Sequence, residues 1–423
     1  MLQPLEILPG VRLRCVQTDR FKSSCLSINL LRPLCKEEAG KNALLSNVLM
    51  QGTRLHPDMQ SLSLAMDELY GASIGPMCRK NGEIQTVGLY MSCLDDRYAI
   101  SGDQVLKPAV QLLSELLLDP TLTDGCFRPE YVAIEQENLI NTIESAINDK
   151  RAYANSRMLK AMCRDDAFGV ERLGTTQDVA AITPETLYAH YWHILATSQV
   201  EIFYAGSQSQ QTIAELLTAA LSKLPRGELT PLSYSAMAHH DGIQELEETM
   251  VLTQSKLSMG FTTGITSRDP EYPALMVLNA LYGGDMTSKL FMNVREKESL
   301  CYYVGSVTSA SKGIVIVSSG IDRENYQRTV DEILHQLELC RQGQITQSEM
   351  VAAKKAMVSS LLALRDSLGS MEDYSAFQVL SGFALDPDAY RHAVEAVDIA
   401  QVVAVAQQVK PDTIFFLKGV SNG

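Results

Sequence analysis

The stretch 287-TSKLFMNVREKESLCYYVGSVTSASKGIVIVSSGI-321 decides how the rest of the chain is read. It opens as a helix and then changes to two runs with the β-branched, alternating character of paired strands. Its last part, GIVIVSSGI (313–321), is a short apolar run, as expected of a strand buried on one or both faces. The same order, a helix and then two strands, occurs earlier in 63-SLAMDELYGASIGPMCRKNGEIQTVGLYMSC-93.

Working outward from these two stretches, the likeness spreads over the whole chain, a repeat with a period of half its length. GVRLRCVQTDRFKSSCLSINLLRP (10–33) and IQELEETMVLTQSKLSMGFTTGI (243–265) open the two halves, each as two strands. KNALLSNVLMQGT (41–53) follows as a helix with Leu44, Leu45, Val48 and Leu49 on one stripe, and EYPALMVLNALYGGD (271–285) takes the matching place. Long helices are expected over roughly 103–118 and 128–147, and again over roughly 323–341 and 345–366. VEIFYAG (200–206) and TIFFLKG (413–419) close the halves as strands. Paired strands with helices between them predict an α+β fold: two homologous domains, each an antiparallel sheet with helices packed on one face. PRGELTPLSYSAMAHHDG (225–242) lacks periodicity and reads as a linker. The expected division is therefore 1–225, a linker over 226–246, and 247–423.

The chain has 423 residues and a net charge of −14. Its acidity argues against nucleic acid as a partner, because phosphate backbones are repelled. No window approaches the unbroken apolar run of about 18 residues that a membrane span needs. MLQPLEILPGVRLRC (1–15) has no basic start and is interrupted by Pro4 and Pro9, so it does not read as a secretory signal. Nine cysteines, none in a CxxC pair, are expected to be reduced thiols, which points to the cytoplasm.

Two local signatures carry a family resemblance. SKLFMNVREKESLCYYVGS (288–306) resembles a segment of the M16 peptidases (the pitrilysin, insulinase and processing-peptidase type), with Arg295 and Tyr302 on that pattern's Arg and Tyr. GKNALLSNVLMQGTR (40–54) resembles the same family's zinc helix, G-x-x-H-x-x-E-H-x-x-x-x-G-T. Gly40 and Gly52-Thr53 match its ends and fix the register. Ala43, Ser46 and Asn47 then stand where the family has His, Glu and His. The resemblance implies a domain duplication and a chamber in which Arg295 and Tyr302 hold a peptide substrate. It further implies the inactive subgroup that pairs with an active paralogue. Members of that subgroup associated with 5-aminopentanol modification of elongation factor P are similar.

The motif has a physical logic. Residues at i and i+4 share a helix face, so two imidazoles chelate one zinc, and the intervening Glu is the base for the bound water. Ala43 offers a methyl group, Ser46 an alcohol and Asn47 a neutral amide, so neither ligands nor base remain. Family members take a third ligand from a Glu on a later helix, and FRPEYVAIEQENLINTIESA (127–146) offers Glu135 or Glu137 as its vestige. A solvated helix face is the plainer reading of both, and a structural corner is the plainer reading of Arg295 and Tyr302.

Other chemistry was sought in the remaining histidines and Cys301. His190 and His193 in AHYWHIL (189–195) can share a helix face, although packing accounts for them more simply. His335 and His392 each begin an H-x-x-E run on an amphipathic helix and are expected to be exposed, as is His56. His239 and His240 fall in the linker, where solvation is expected. Cys301 reads as a structural thiol.

The reading is thus a non-catalytic M16-like subunit with no cofactor. Its expected partner is an active M16-type paralogue in a heterodimer, or a second copy in a homodimer, around a peptide substrate. The alternatives are a metallopeptidase with a relocated site and a purely structural scaffold.

Overall fold

The computed structural model describes residues 3–420. The first half begins with strands β1 (Leu5–Leu8), β2 (Val11–Gln17) and β3 (Ser23–Pro33). Helices α1 (Lys36–Leu49) and α2 (Met59–Glu68) follow, then the strand pair β4 (Ser73–Asn81) and β5 (Ile84–Leu94). Helix α3 (Leu106–Leu118) leads through a small hairpin, β6 (Leu122–Thr123) and β7 (Cys126–Phe127), into α4 (Pro129–Ser145) and α5 (Lys150–Met162). The half ends with α6 (Thr176–Ala180), α7 (Pro184–Thr197), β8 (Gln199–Gly206) and α8 (Gln210–Ala220).

The second half repeats the plan. It runs β9 (Gln244–Val251), β10 (Ser255–Thr262), α9 (Tyr272–Asn279), β11 (Cys301–Ser309) and β12 (Ile314–Ile321). Two π-helical segments, Ala280–Gly284 and Leu290–Lys297, lie between α9 and β11. Helices α10 (Tyr326–Arg341), α11 (Gln347–Ala363), α12 (Leu368–Ser381), α13 (Pro387–Ala396) and α14 (Ile399–Gln408) precede the closing strand β13 (Lys410–Val420). The four long helices expected from periodicity are α3, α4, α10 and α11, with ends within three residues of the expected ones.

The α+β architecture with two similar halves is present, and it is richer than the sequence suggests in two respects. Each sheet is mixed. The first has the order β1-β2-β8-β3-β5-β4 and the second β11-β12-β10-β13-β9. The closing strand of each half returns after a long helical excursion to lie parallel to a strand near the half's start, β8 on β2 and β13 on β9. A parallel pair requires such a crossover, whereas the hairpin pairs remain antiparallel.

Second, both faces of each sheet carry helices. Alternate residues of β3 point opposite ways. Leu26, Ile28 and Leu30 join the large core with α1 and α3. Cys25 and Ser27 instead meet α12: Ser27 Oγ donates to Glu372 at 2.8 Å, and Cys25 packs with Leu368 and Met371. Glu372 is buried and takes a two-pronged contact from Arg79 at 2.9 and 2.6 Å, so its charge is neutralised where it sits. In the second sheet Asn155 of α5 accepts from Ser258 and Ser318, both at 2.8 Å, and Met158 and Met162 fill the space left by Gly260.

The chain accordingly packs into two compact units that do not follow chain order. One comprises residues 1–144, 170–233 and 367–379; the other comprises 145–169, 234–366 and 380–423. Helix α5 is written in the first half and built into the second unit. Most of α12 is written in the second half and built into the first.

Candidate functional site

Helix α1 is the place to look for metal chemistry in the first unit. Glu37 and Glu38 sit in its first turn, where they favour the positive helix end. The rest is buried nearly all round. Leu44, Leu45, Val48 and Leu49 are in the core, each contributing roughly 1.5–3 kcal/mol. Gly52, just beyond the helix, has φ +153°, and a Cβ there would lie 2.7 Å from the carbonyl oxygen of His56. That explains the glycine closing the motif.

The three motif positions fare differently. Ala43 is 2% exposed and belongs to the hydrophobic core. Ser46 is buried and donates back to the Ala43 carbonyl at 3.3 Å, a contact within the helix. Asn47 is half-buried. Of the two carboxylates on α4, Glu135 faces α1: it is 9% exposed and accepts from Gln51 Nε2 at 2.6 Å, one turn beyond Asn47. Glu137 is exposed. These residues do not fit a zinc ion, because one donor position is a methyl group and the buried alcohol is turned into its own helix. Among the described residues, no group of three or more His, Cys, Asp or Glu side chains is arranged to hold a metal.

A buried polar network occupies the space beside the motif instead. Asn42, fully buried, donates to Gln85 Oε1 at 2.8 Å, and Gln85 donates to the carbonyls of Ala39 and Arg172. The amide oxygen of Asn42 therefore accepts, and His190 Nε2, 2.7 Å away, carries the proton. Burial pushes the His190 pKa down to about 4, outweighing the pull of Glu38, so this ring is neutral near pH 7. His193 meets the Arg32 guanidinium at 3.3 Å, and Arg32 forks onto Glu38 at 2.8 and 2.6 Å. Burial opposes the charged Glu38 carboxylate, yet Arg32 holds its pKa below the ordinary value. The two histidines of AHYWHIL thus tie α7 to α1 and β3. Sequence reasoning missed Asn42 and Gln85, which carried no motif.

In the second unit Arg295 and Tyr302 flank a helix-to-strand corner. Arg295 lies in the second π-helical segment, a form often met at functional sites. Ser299, at φ +52°, reverses the chain into β11. Pairing with β12 shifts between Cys301 and Tyr303, so Tyr302 is the residue of a β-bulge on an edge strand. A bulge re-aims a side chain, and Tyr302 is 59% exposed, with its hydroxyl donating to Asp322 at a long 3.4 Å. The Arg295 guanidinium stands 4.6 Å from the Phe291 ring and 3.6 Å from Glu296, and its side chain is 39% exposed. Neither is locked into a tight partner. Burial pushes the adjacent Cys301 thiol up, against the lowering by Ser319 and Arg295, so it is not a ready nucleophile.

The remaining histidines include one surprise. His239 and His240 are anchored, not solvated: both face the fully buried Asp412, at 3.4 and 3.2 Å, and the backbone N–H of His240 adds a bond at 3.0 Å. A carboxylate 172 residues away supplies the partner, which no local pattern reveals. His335 and His392 are exposed, and His56 is half-buried, 4.0 Å from Glu115.

Comparison with known proteins bears on these two regions. Residues 181–357 match the family described as Peptidase M16 inactive domain. The chain is 30% identical over 416 residues to the "Probable inactive metalloprotease YmfF" of Bacillus subtilis, covering 98% of this chain and 97% of that one. Among solved structures, a conserved protein from Enterococcus faecalis V583 superposes with a TM-score of 0.91 at 30% identity, covering 100% of this chain and 99% of that one. The peptidase M16 inactive domain from Pseudomonas fluorescens has the same fold, with a TM-score of 0.80 at 19% identity and coverage of 100% and 99%. No helix among the described residues is long and apolar enough to cross a membrane. Matched along nearly its whole length by a relative named as a probable inactive metalloprotease, and over residues 181–357 by the inactive-domain family, this chain belongs to the M16 peptidase family as an inactive homologue.

Proposed function

We propose that the chain is the non-catalytic subunit of a pair, associating with an active zinc-dependent M16 paralogue and contributing contacts to a peptide or protein substrate. One observation carries this reading. Arg295 and Tyr302 remain presented at a corner, one beside a π-helical turn and the other on a bulge, while the metal positions are absorbed into core and helix. A π turn and a bulge each weaken local pairing, so retaining both favours a role for the side chains they aim.

The test is co-expression with a paralogue that carries the intact HxxEH motif, followed by size-exclusion chromatography with light scattering. A heteromer is expected. Within it, Arg295→Ala and Tyr302→Phe should lower the partner's kcat/KM by roughly tenfold or more, the worth of a hydrogen bond to a charged group. A monodisperse chain that ignores every such paralogue sinks the pairing, and unchanged kcat/KM reduces the chain to a scaffold. Metal per chain, measured by plasma mass spectrometry after dialysis against trace zinc, should be close to zero. Stoichiometric zinc abolished by Glu135→Ala would reopen the enzyme reading.

A further inference from the structure

On the α5 face of the second sheet, several polar groups crowd one spot. Tyr303 on β11, Gly320 on β12 and Lys256 on β10 form a row, Tyr303 paired with Gly320 and Gly320 with Lys256. Gly320 leaves the surface bare, and the Tyr303 ring lies over it: a Cβ there would be 2.4 Å from the ring's Cε1. The ring thereby reaches Lys256, whose ammonium is 5.4 Å from its centroid. From above, α5 places the Arg151 guanidinium 4.8 Å from the same centroid.

Two cations on one ring are each attracted to its π-system and repelled by one another. Among the described residues neither has an ion-pair partner. Lys256 has only the amide oxygen of Gln254 as an acceptor. Asp149 is the nearby carboxylate, but it caps α5 through the N–H groups of Arg151 and Ala152. Burial first and Arg151 second hold the Lys256 pKa below its ordinary value, against the opposing pull of Asp149. The Tyr303 hydroxyl is buried without a hydrogen-bond partner, a third donor on the same ring. Unused donors and two cations without an ion-pair partner among the described residues are thus concentrated here, on a chain whose net charge is −14.

We propose that Arg151, Lys256 and Tyr303 form an oxyanion-binding site, and that its ligand is a carboxylate of an acidic peptide. The peptide half of the proposal rests on the substrate-binding reading above; the site itself does not. A carboxylate matches the fork of Arg151 through its two oxygens, and the ammonium and phenol complete the set. Inorganic phosphate shares this chemistry, so the experiment separates the two sources.

The site is tested first with inorganic phosphate on the full chain, followed by the side-chain Nε–H resonance of Arg151 in NMR spectra. A saturable shift is expected, weakened roughly tenfold in Lys256→Gln, where Arg151 is still visible. No saturable shift overturns the site. The ligand is tested with two unstructured peptides that differ only in Glu or Gln at three positions, read by fluorescence anisotropy. The Glu peptide should bind roughly tenfold tighter, and the difference should vanish in Arg151→Gln/Lys256→Gln. Equal affinities beside a phosphate shift assign the site to a free oxyanion and overturn the peptide half. Failure to pair with a paralogue would fell the proposed function and leave the phosphate result untouched.

Discussion

The two motif regions have met opposite fates. In the first unit the segment that resembles the family's zinc helix is sealed: Ala43 belongs to the core, Ser46 bonds within its helix, and Asn42 anchors a buried chain of amides. In the second unit the corner with Arg295 and Tyr302 stays open, with loose contacts at 3.6 and 3.4 Å. The contrast shows what a helix without metal ligands must satisfy. A buried ligand position cannot simply be vacated, because polar groups left behind need partners. Here the helix carries a core alanine and satisfied polar groups instead.

The largest effect is expected at Ala43. Ala43→His should destabilise the first unit by roughly 3–4 kcal/mol, from overpacking and a buried imidazole without a partner, as measured by urea unfolding. A loss below about 0.5 kcal/mol would mean that the old ligand pocket still has room, and the sealed-site description would fail.

A slightly smaller effect is expected from acid. His190 has a folded pKa of about 4 against the ordinary 6.5 of a free histidine, so the unfolded chain binds the proton more readily. Stability from this group is therefore fully present above pH 6.5 and is lost as pH falls toward 4, by roughly 3 kcal/mol in all. His190→Gln keeps an amide donor for Asn42 and should flatten the unfolding free energy between those limits. Parallel pH profiles for both proteins would contradict a neutral, buried His190.

The smallest effect belongs to the open corner. Arg295→Ala and Tyr302→Ala should change stability by no more than about 0.5 kcal/mol each, as exposed positions do. A loss above about 1.5 kcal/mol in chemical denaturation would make the corner structural and erase the contrast with α1.

Much of this was legible in the sequence because periodicity and repetition are local. The duplication, the long helices and the register of Ala43, Ser46 and Asn47 come from short-range patterns. What stayed hidden depends on distant partners. Helix α5 is not expected from periodicity, and nothing in its sequence KRAYANSRMLKAM says which sheet it covers. His239 and His240 read as a polar pair until Asp412 is placed beneath them. The carboxylates of α4 were equivalent in sequence, and only the packing turns Glu135 toward Gln51 and Glu137 outward. The π-helical turns escape for a different reason: one residue inserted into a helix barely alters its apolar pattern.

The exchange of α5 and α12 has a consequence for biosynthesis. Chain growth runs from the N-terminus, yet the first unit lacks its covering helix until residues 367–379 have been made. Cys25, Ser27 and Arg79 wait for Leu368 and Glu372, which follow them by 343, 345 and 293 residues respectively. Neither half can therefore be completed by itself as it leaves the ribosome, and a gene cut near residue 233 would yield two fragments, each carrying a helix that belongs to the other.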